Sequence, residues 1–441
     1  MTPDSNESHR QIWSFLSKLL KGKLVAGILS LGYFAIAARM LGVHDYGVLL
    51  LVHGYAIFVG GVLALSGWHG LVRFGHDALA ARDHGGFRKL ATFMAGLELG
   101  VFLLALCAAA LLAPMVGPRL GWPPEATRFA PLYAVAIFAT VRMTPNAILQ
   151  IAGRFDLVGW HQIVMPASRL AGAVILWFAG AGLREFLWVW LISALLEGVS
   201  MWLMAAWAWR QMQIERTAVP GTAMPNRVNR GFLGFVLTTN ADITLREFGP
   251  RVIPLIVGAT LGPAAAGLFS VAQRAGLIFE QPAQLLGHAS YAVAAKLAAE
   301  GRVAESRSAI WKSIGIAMLL AIPLTVVVAL LAKPILTLLG GPGFSSASTL
   351  LILIVIAKML QIGAPTLAAA LAAMKRPGHS ILINLGANIA MLWALPLLLG
   401  AFGLEGAGLH MIAQSAVMMA AFALITNKAY RRAARKPGFA G

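Results

Sequence analysis

Apolar residues in this chain neither alternate nor recur in a narrow stripe. They run on in long stretches, interrupted by short polar clusters. A helix that crosses a bilayer needs about 20 mostly apolar residues. Twelve stretches qualify, at roughly 14–40, 46–70, 89–113, 128–151, 160–180, 186–209, 231–258, 264–289, 310–332, 347–374, 379–400 and 406–427. The longest gaps, Arg210–Arg230 and Ser290–Ala309, leave no room for a sizeable soluble domain. The pattern predicts an all-α integral membrane protein of about 12 transmembrane helices. The first stretch is followed by Arg39-Met40-Leu41-Gly42 instead of a small-residue cleavage site, so it reads as an uncleaved span.

Composition agrees. Of the 441 residues 59% are hydrophobic and 12% charged, and mean hydropathy is +0.77. A soluble domain carries about 25% charged residues. The deficit excludes a disordered chain and argues against a soluble enzyme. The net charge of +18 would suggest nucleic acid on a soluble protein. Here nucleic acid is not expected, because the basic residues sort by side. With the N-terminus in the cytoplasm, the loops on that side hold 25 of the 35 Lys and Arg, among them Lys18, Arg73, Arg88, Arg154, Arg169, Arg216, Arg302, Lys375 and Arg432. The other side holds five: Arg39, Arg119, Arg128, Arg184 and Lys333. Cytoplasmic loops are enriched in this way, so both termini are expected inside. The tail at 428–441 is basic and suited to anionic lipid headgroups. The one cysteine, Cys107, excludes an intrachain disulfide.

The chain also repeats. Leu41-Gly42, four residues, Gly47 returns as Leu261-Gly262, four residues, Gly267, an offset of 220. ALAARDHGGFRKL after the second span and KLAAEGRVAESRSAI after the eighth both read as short amphipathic basic segments. Six spans per half is an even number, so the halves share an orientation as parallel repeats, with a solute pathway expected around a central cavity. The expected domains are a six-helix lobe at 1–210, a cytoplasmic linker at 211–230 with Pro220 and Pro225, a second six-helix lobe at 231–427, and the tail.

Three segments carry a family resemblance. ARMLGVHDYGVLLL at 38–51, LGHASYAVAAKLAAEGRVAESR at 286–307 and NLGANIAMLWALPLLLGAFGLEGAGL at 384–409 resemble bacterial polysaccharide flippases of the multidrug/oligosaccharidyl-lipid/polysaccharide exporter superfamily. The resemblance implies alternating-access translocation of an undecaprenyl-diphosphate-linked oligosaccharide across the inner membrane, for surface polysaccharide such as lipopolysaccharide. It implies no cofactor and no enzymatic step. The substrate, membrane lipids, a coupling proton or sodium ion and other polysaccharide assembly proteins are the expected partners. The peptidoglycan-precursor branch carries basic residues on spans 1, 2 and 8. Here span 2 has none, and only Arg274 on span 8 fits by position.

Charges at membrane depth cost several kcal/mol and face partners or cavities. The basic set is Arg142, Arg246, Arg251, Arg274 and Lys358; the acidic set is Glu98, Glu197, Asp242, Glu247 and Glu280. At 1.5 Å per residue Arg142 lies about 20 Å into span 4 and Lys358 about 16 Å into span 10. At 100° per residue Asn146, Gln150 and Gly153 fall on Arg142's face. So do Gln281, Gln284 and His288 with Arg274, and Gln361 and Pro365 with Lys358. One reading has Arg142, Arg274 and Lys358 meeting the diphosphate, with Arg246, Arg251, Asn146 and Gln281 lining the cavity. The other has them in structural ion pairs with Glu98, Glu197 or Glu280. Asp242, Glu247 and Glu280 are the candidates for ion coupling, with Asp242/Arg246 and Glu247/Arg251 as self-neutralising pairs in the alternative reading.

The remaining features read as structural. His53 and His69 suit helix packing or an interface, since a metal site needs a cluster. His410 and Gln414 suit interhelical hydrogen bonds. Trp188, Trp190, Trp202, Trp207 and Trp209 suit interface belts. Two rivals stand beside the flippase. A drug/cation antiporter on the same fold would rest on carboxylates such as Asp242. A membrane polymerase or ligase would need a larger outside loop than Pro114–Thr127.

Overall fold

A computed structural model describes residues 5–64, 68–212, 214, 248–277, 280–374 and 376–434. Every regular element among them is helical. Helices satisfy their own backbone where no water can, which apolar runs of this length require. Among the described residues eight helices are long and apolar enough to cross a membrane, and a pair bent by 44°, Gly378–Ala390 with Ala394–Phe402, makes a ninth. The chain is an all-α, multi-span membrane protein.

Contacts divide it into two units, Met1–Leu41 with Val48–Thr244, and Gly42–Gly47 with Leu245–Gly441. The expected linker lies almost wholly outside the described residues.

The first two expected spans fall in one helix, α1 (Ser5–Leu63). It leaves helical geometry at Gly42, where φ is 69° and ψ −177°, a backbone that suits glycine. In the first unit follow α2 (Trp68–Ala80), α3 (His84–Arg119), α4 (Pro124–Tyr133), a 3₁₀ stretch (Ala134–Thr140), α5 (Met143–Ile151), α6 (Phe155–Ala179) and α7 (Leu183–Gln211). Asp83 caps α3 by accepting from the Gly86 N–H at 2.7 Å. Gly22 meets Gly159 so closely that a Cβ on it would lie 2.3 Å from the carbonyl oxygen.

The second unit holds α8 (Phe248–Leu261), α9 (Pro263–Gly276), α10 (Glu280–Ala299), α11 (Val303–Leu330), α12 (Ala332–Gly340), a 3₁₀ stretch (Pro342–Ala347), α13 (Ser348–Gln361) and α14 (Ala364–Ala373). It ends with α15 (Pro377–Leu385), a π-helical turn (Gly386–Ala390), α16 (Ala394–Phe402) and α17 (Glu405–Ala434). The repeated Gly-x4-Gly pairs meet inside this unit. A Cβ on Gly47 would sit 1.8 Å from the Pro263 oxygen, and one on Gly267 would sit 2.6 Å from the Val43 oxygen. Small residues let backbones approach to this degree.

The repeat extends to backbone turns. Positive φ occurs at Gly42, Arg82, Gly121 and Gly180, and again at Gly262, Gly301, Gly341 and Gly403, offsets of 219 to 223 residues, while Gly153 has no such counterpart among the described residues.

Three expectations need correction. The amphipathic segment after span 2 is α2, centred about ten residues earlier than ALAARDHGGFRKL, which the turn at Arg82 interrupts. Arg169 is not in a cytoplasmic loop; it lies inside α6 and is buried, because aromatic and polar neighbours take its charge. Trp190 is no interface residue but one of the largest fully buried side chains.

Candidate functional site

Pro145 decides the local structure of the fourth span. A proline inside a helix cannot donate its N–H, and its ring displaces the carbonyl four residues earlier. That carbonyl belongs to Val141. The span accordingly leaves helical geometry at Arg142, which takes up φ −138° and ψ 5° between the 3₁₀ stretch and α5. The expected helical stripe through Arg142 is therefore replaced by a helix start.

The break's backbone groups are taken up by neighbouring helices. Trp202 of α7 donates its indole N–H to the Val141 oxygen at 2.9 Å. Glu98 of α3, 5% exposed, accepts from the Met143 N–H at 2.6 Å and the Thr144 N–H at 2.9 Å. Asn146 donates its N–H to the Arg142 oxygen at 3.0 Å. The Arg142 guanidinium meets Glu197 Oε1 at 3.3 Å, with 47% of its side chain exposed against 10% for the glutamate. His161 Nε2 holds the Glu197 carbonyl at 2.9 Å. Gln150 donates to Asn146 Oδ1 at 3.3 Å.

Deeper in this unit lies a cluster that sequence reading missed. Arg169 donates Nε–H to Ser193 Oγ at 3.0 Å and one Nη2–H to His53 Nε2 at 3.1 Å. Arginine can only donate, so Nε2 accepts and the imidazole proton sits on Nδ1, 2.9 Å from the Tyr133 hydroxyl. The guanidinium also lies 5.0 Å from the Trp190 ring centroid and 5.6 Å from that of Tyr33. The sequence signal was an arginine amid an apolar run. At the membrane edge, Arg154 is clamped by Asp156 at 3.0 and 2.8 Å and stacks over Trp207 at 4.3 Å. The Asp156 carboxylate holds the Arg154 guanidinium above its ordinary range.

The second unit has a cavity of about 680 Å³. Its polar lining comprises Lys358, Gln361, Gln273, Asn384, Asn388 and Gln414, with Ser380 and Ser415. Lys358, Gln361 and Pro365 line it together, the face that their spacing predicts. Pro365 breaks the helix at Ile362–Gly363 between α13 and α14. Gln414 donates to the Ala387 oxygen at 3.1 Å and to Asn388 Oδ1 at 2.9 Å, and His410 Nε2 meets the Met391 oxygen at 3.0 Å. All three are interhelical hydrogen bonds, and they hold α17 against the π-helical turn and the residue that follows it.

The other predicted residues are spread wider. Arg274 is half-buried near the end of α9; its neighbour Gln273 lines the cavity instead. Arg251 is half-buried on α8, beside the cavity residues Pro250 and Ile253. Asp242, Arg246 and Glu247, and the side chains of Glu280, Gln281, Gln284 and His288, lie outside the described residues. Among the described residues no group of three or more His, Cys, Asp or Glu could hold a metal.

Residues 36–349 match the family described as "Polysaccharide biosynthesis protein". The inner membrane protein YghQ of Escherichia coli (strain K12) is 28% identical over 268 residues, 61% of this chain and 76% of that protein. Solved structures that share the fold include two transporters. A multidrug resistance MATE family transporter of the MOP superfamily, inward-facing, superposes with a TM-score of 0.66 at 15% identity, covering 95% of this chain and 96% of its own. A mutant of the Vibrio cholerae MATE transporter VcmN gives 0.60 at 13% identity, covering 98% of each chain.

Proposed function

The chain belongs to the polysaccharide biosynthesis protein family, and we propose that within it the protein is a flippase for an undecaprenyl-diphosphate-linked oligosaccharide in the inner membrane. The observation that carries this reading is the lining of the second unit's cavity. Its described lining residues include one cation, Lys358, several amides and hydroxyls, and no carboxylate. Among the described lining residues an organic cation would find no counter-charge. A diphosphate would find a lysine, and sugar hydroxyls would find amide donors and acceptors. A volume of about 680 Å³ suits a headgroup portion, with the polyprenyl tail left in lipid.

Within the first unit, Arg142 is a separate candidate cation for phosphate. Its guanidinium is half exposed and held by Glu197 at one nitrogen. Lys358 acts as a point charge, whereas arginine holds phosphate oxygens in a planar fork. Coupling to a proton or sodium gradient would supply the driving force. The multi-span fold of the multidrug transporters leaves a drug/cation antiporter as the alternative.

The test measures surface polysaccharide and lipid-linked oligosaccharide retained on the cytoplasmic leaflet. Lys358→Ala and Arg142→Ala are each expected to lower surface polysaccharide at least tenfold at normal protein abundance, with drug susceptibility unchanged. Full surface polysaccharide in both variants would overturn the assignment. Increased drug susceptibility with normal polysaccharide would favour the antiporter.

A further inference from the structure

We propose that Glu98 is a positioning residue: its carboxylate fixes the start of α5 and thereby the place from which the Arg142 side chain reaches out. The proposal rests on the reading of Arg142 as a phosphate-binding cation.

The chemistry at 140–146 leaves specific groups in need of partners. A helix start has amides with no intrahelical acceptor, and inside a membrane no water replaces one. The first two amides of α5 are those of Met143 and Thr144, Pro145 has none, and the Asn146 amide returns to the Arg142 oxygen. Arg142 occupies the capping position, where a serine or aspartate side chain would ordinarily accept, and it gives no side-chain cap. Glu98 fills that role from another helix, one carboxylate oxygen to each amide. Its carboxylate oxygens also face the positive end of the α5 dipole.

The assignment of partners is what makes the role specific. Glu98 binds the backbone at 143–144, while the guanidinium binds Glu197, 55 residues further along. One acid thus holds the main chain and another holds the side chain. With the main chain fixed at Met143 and Thr144 on one side and at Val141 by Trp202 on the other, Arg142 is pinned between them. A glutamine at 98 would offer one acceptor oxygen, and its amide group would oppose the second N–H. An aspartate would keep two acceptors but fall one methylene short.

The experiment uses the full-length protein in nanodiscs and in cells. Hydrogen exchange of the Met143 and Thr144 amides is expected to rise at least tenfold in Glu98→Gln, with α7 unchanged. In cells, Glu98→Gln and Arg142→Gln should each lower surface polysaccharide about tenfold or more. The double variant should be within about twofold of Arg142→Gln alone, since Glu98 acts through Arg142. Glu98→Asp should restore part of both the exchange protection and the polysaccharide. Multiplying losses in the double variant, or normal polysaccharide in Glu98→Gln despite raised exchange, would overturn the positioning role. Normal polysaccharide in Arg142→Gln would instead strike at the phosphate reading, and with raised exchange it would leave Glu98 a structural cap only.

Discussion

Pro145 and Pro365 stand 220 residues apart, and each breaks a helix in its own unit. The two breaks are served by opposite chemistry. In the first unit Glu98, Trp202 and Glu197 close around the break and take up its amides, its carbonyl and its arginine. In the second, Ile362, Ala364 and Pro365 border an open cavity. The helix packed against the first break contributes Glu197. In the second, Met419 approaches so closely that a Cβ on Gly363 would lie 2.7 Å from its methyl carbon. Proline sets where each helix yields, and side chains from neighbouring helices decide whether the gap is braced or left hollow. The first unit reads as a braced frame and the second as a receptacle.

The sharpest challenge to that contrast is deletion of the first unit's buried cation. Arg169→Ala would leave Ser193 and His53 without their donor and remove packing against Trp190 and Tyr33. It should cost about 3 kcal/mol or more, read as a lowered thermal midpoint in nanodiscs. Lys358→Ala in the receptacle should instead lower the midpoint by less than Arg169→Ala while transport falls. Equal destabilisation by the two would erase the distinction. Trp202→Phe comes next. It orphans the Val141 carbonyl at membrane depth and should cost about 1–2 kcal/mol by the same measurement. Gln414→Leu, which removes two hydrogen bonds around the π-helical turn, should cost about 1 kcal/mol. The smallest effect is expected at the exposed Arg302, which bridges Glu300 and Glu305 at 2.8 and 2.5 Å. Arg302→Ala should not move the thermal midpoint measurably, because solvent screens such pairs.

Much of the fold was legible in the chain because bilayer thickness imposes one length on every span, and apolar runs record it directly. The face of Lys358, Gln361 and Pro365 was legible for a similar reason: all three lie within one turn on either side of the break. The face assigned to Arg142 was not. Helical projection assumes an unbroken helix, and Pro145 acts four residues back, at Val141. Arg169 falls with the loops in the sequence, since its charge suggests solvent and its partners, His53 and Ser193, are separated from it by 116 and 24 positions. Glu98 was visible as a membrane-depth acid. Its partners are main-chain amides, which every residue carries and no pattern of side chains reveals.

The recurring positive φ values have one more consequence. Arg82, with φ 56°, is the one such non-glycine among the described residues, and its counterpart Gly301 has φ 72°. A side chain at that backbone costs roughly 1–2 kcal/mol. An Arg82→Gly substitution would therefore relieve a strain that the turn at Gly301 does not carry.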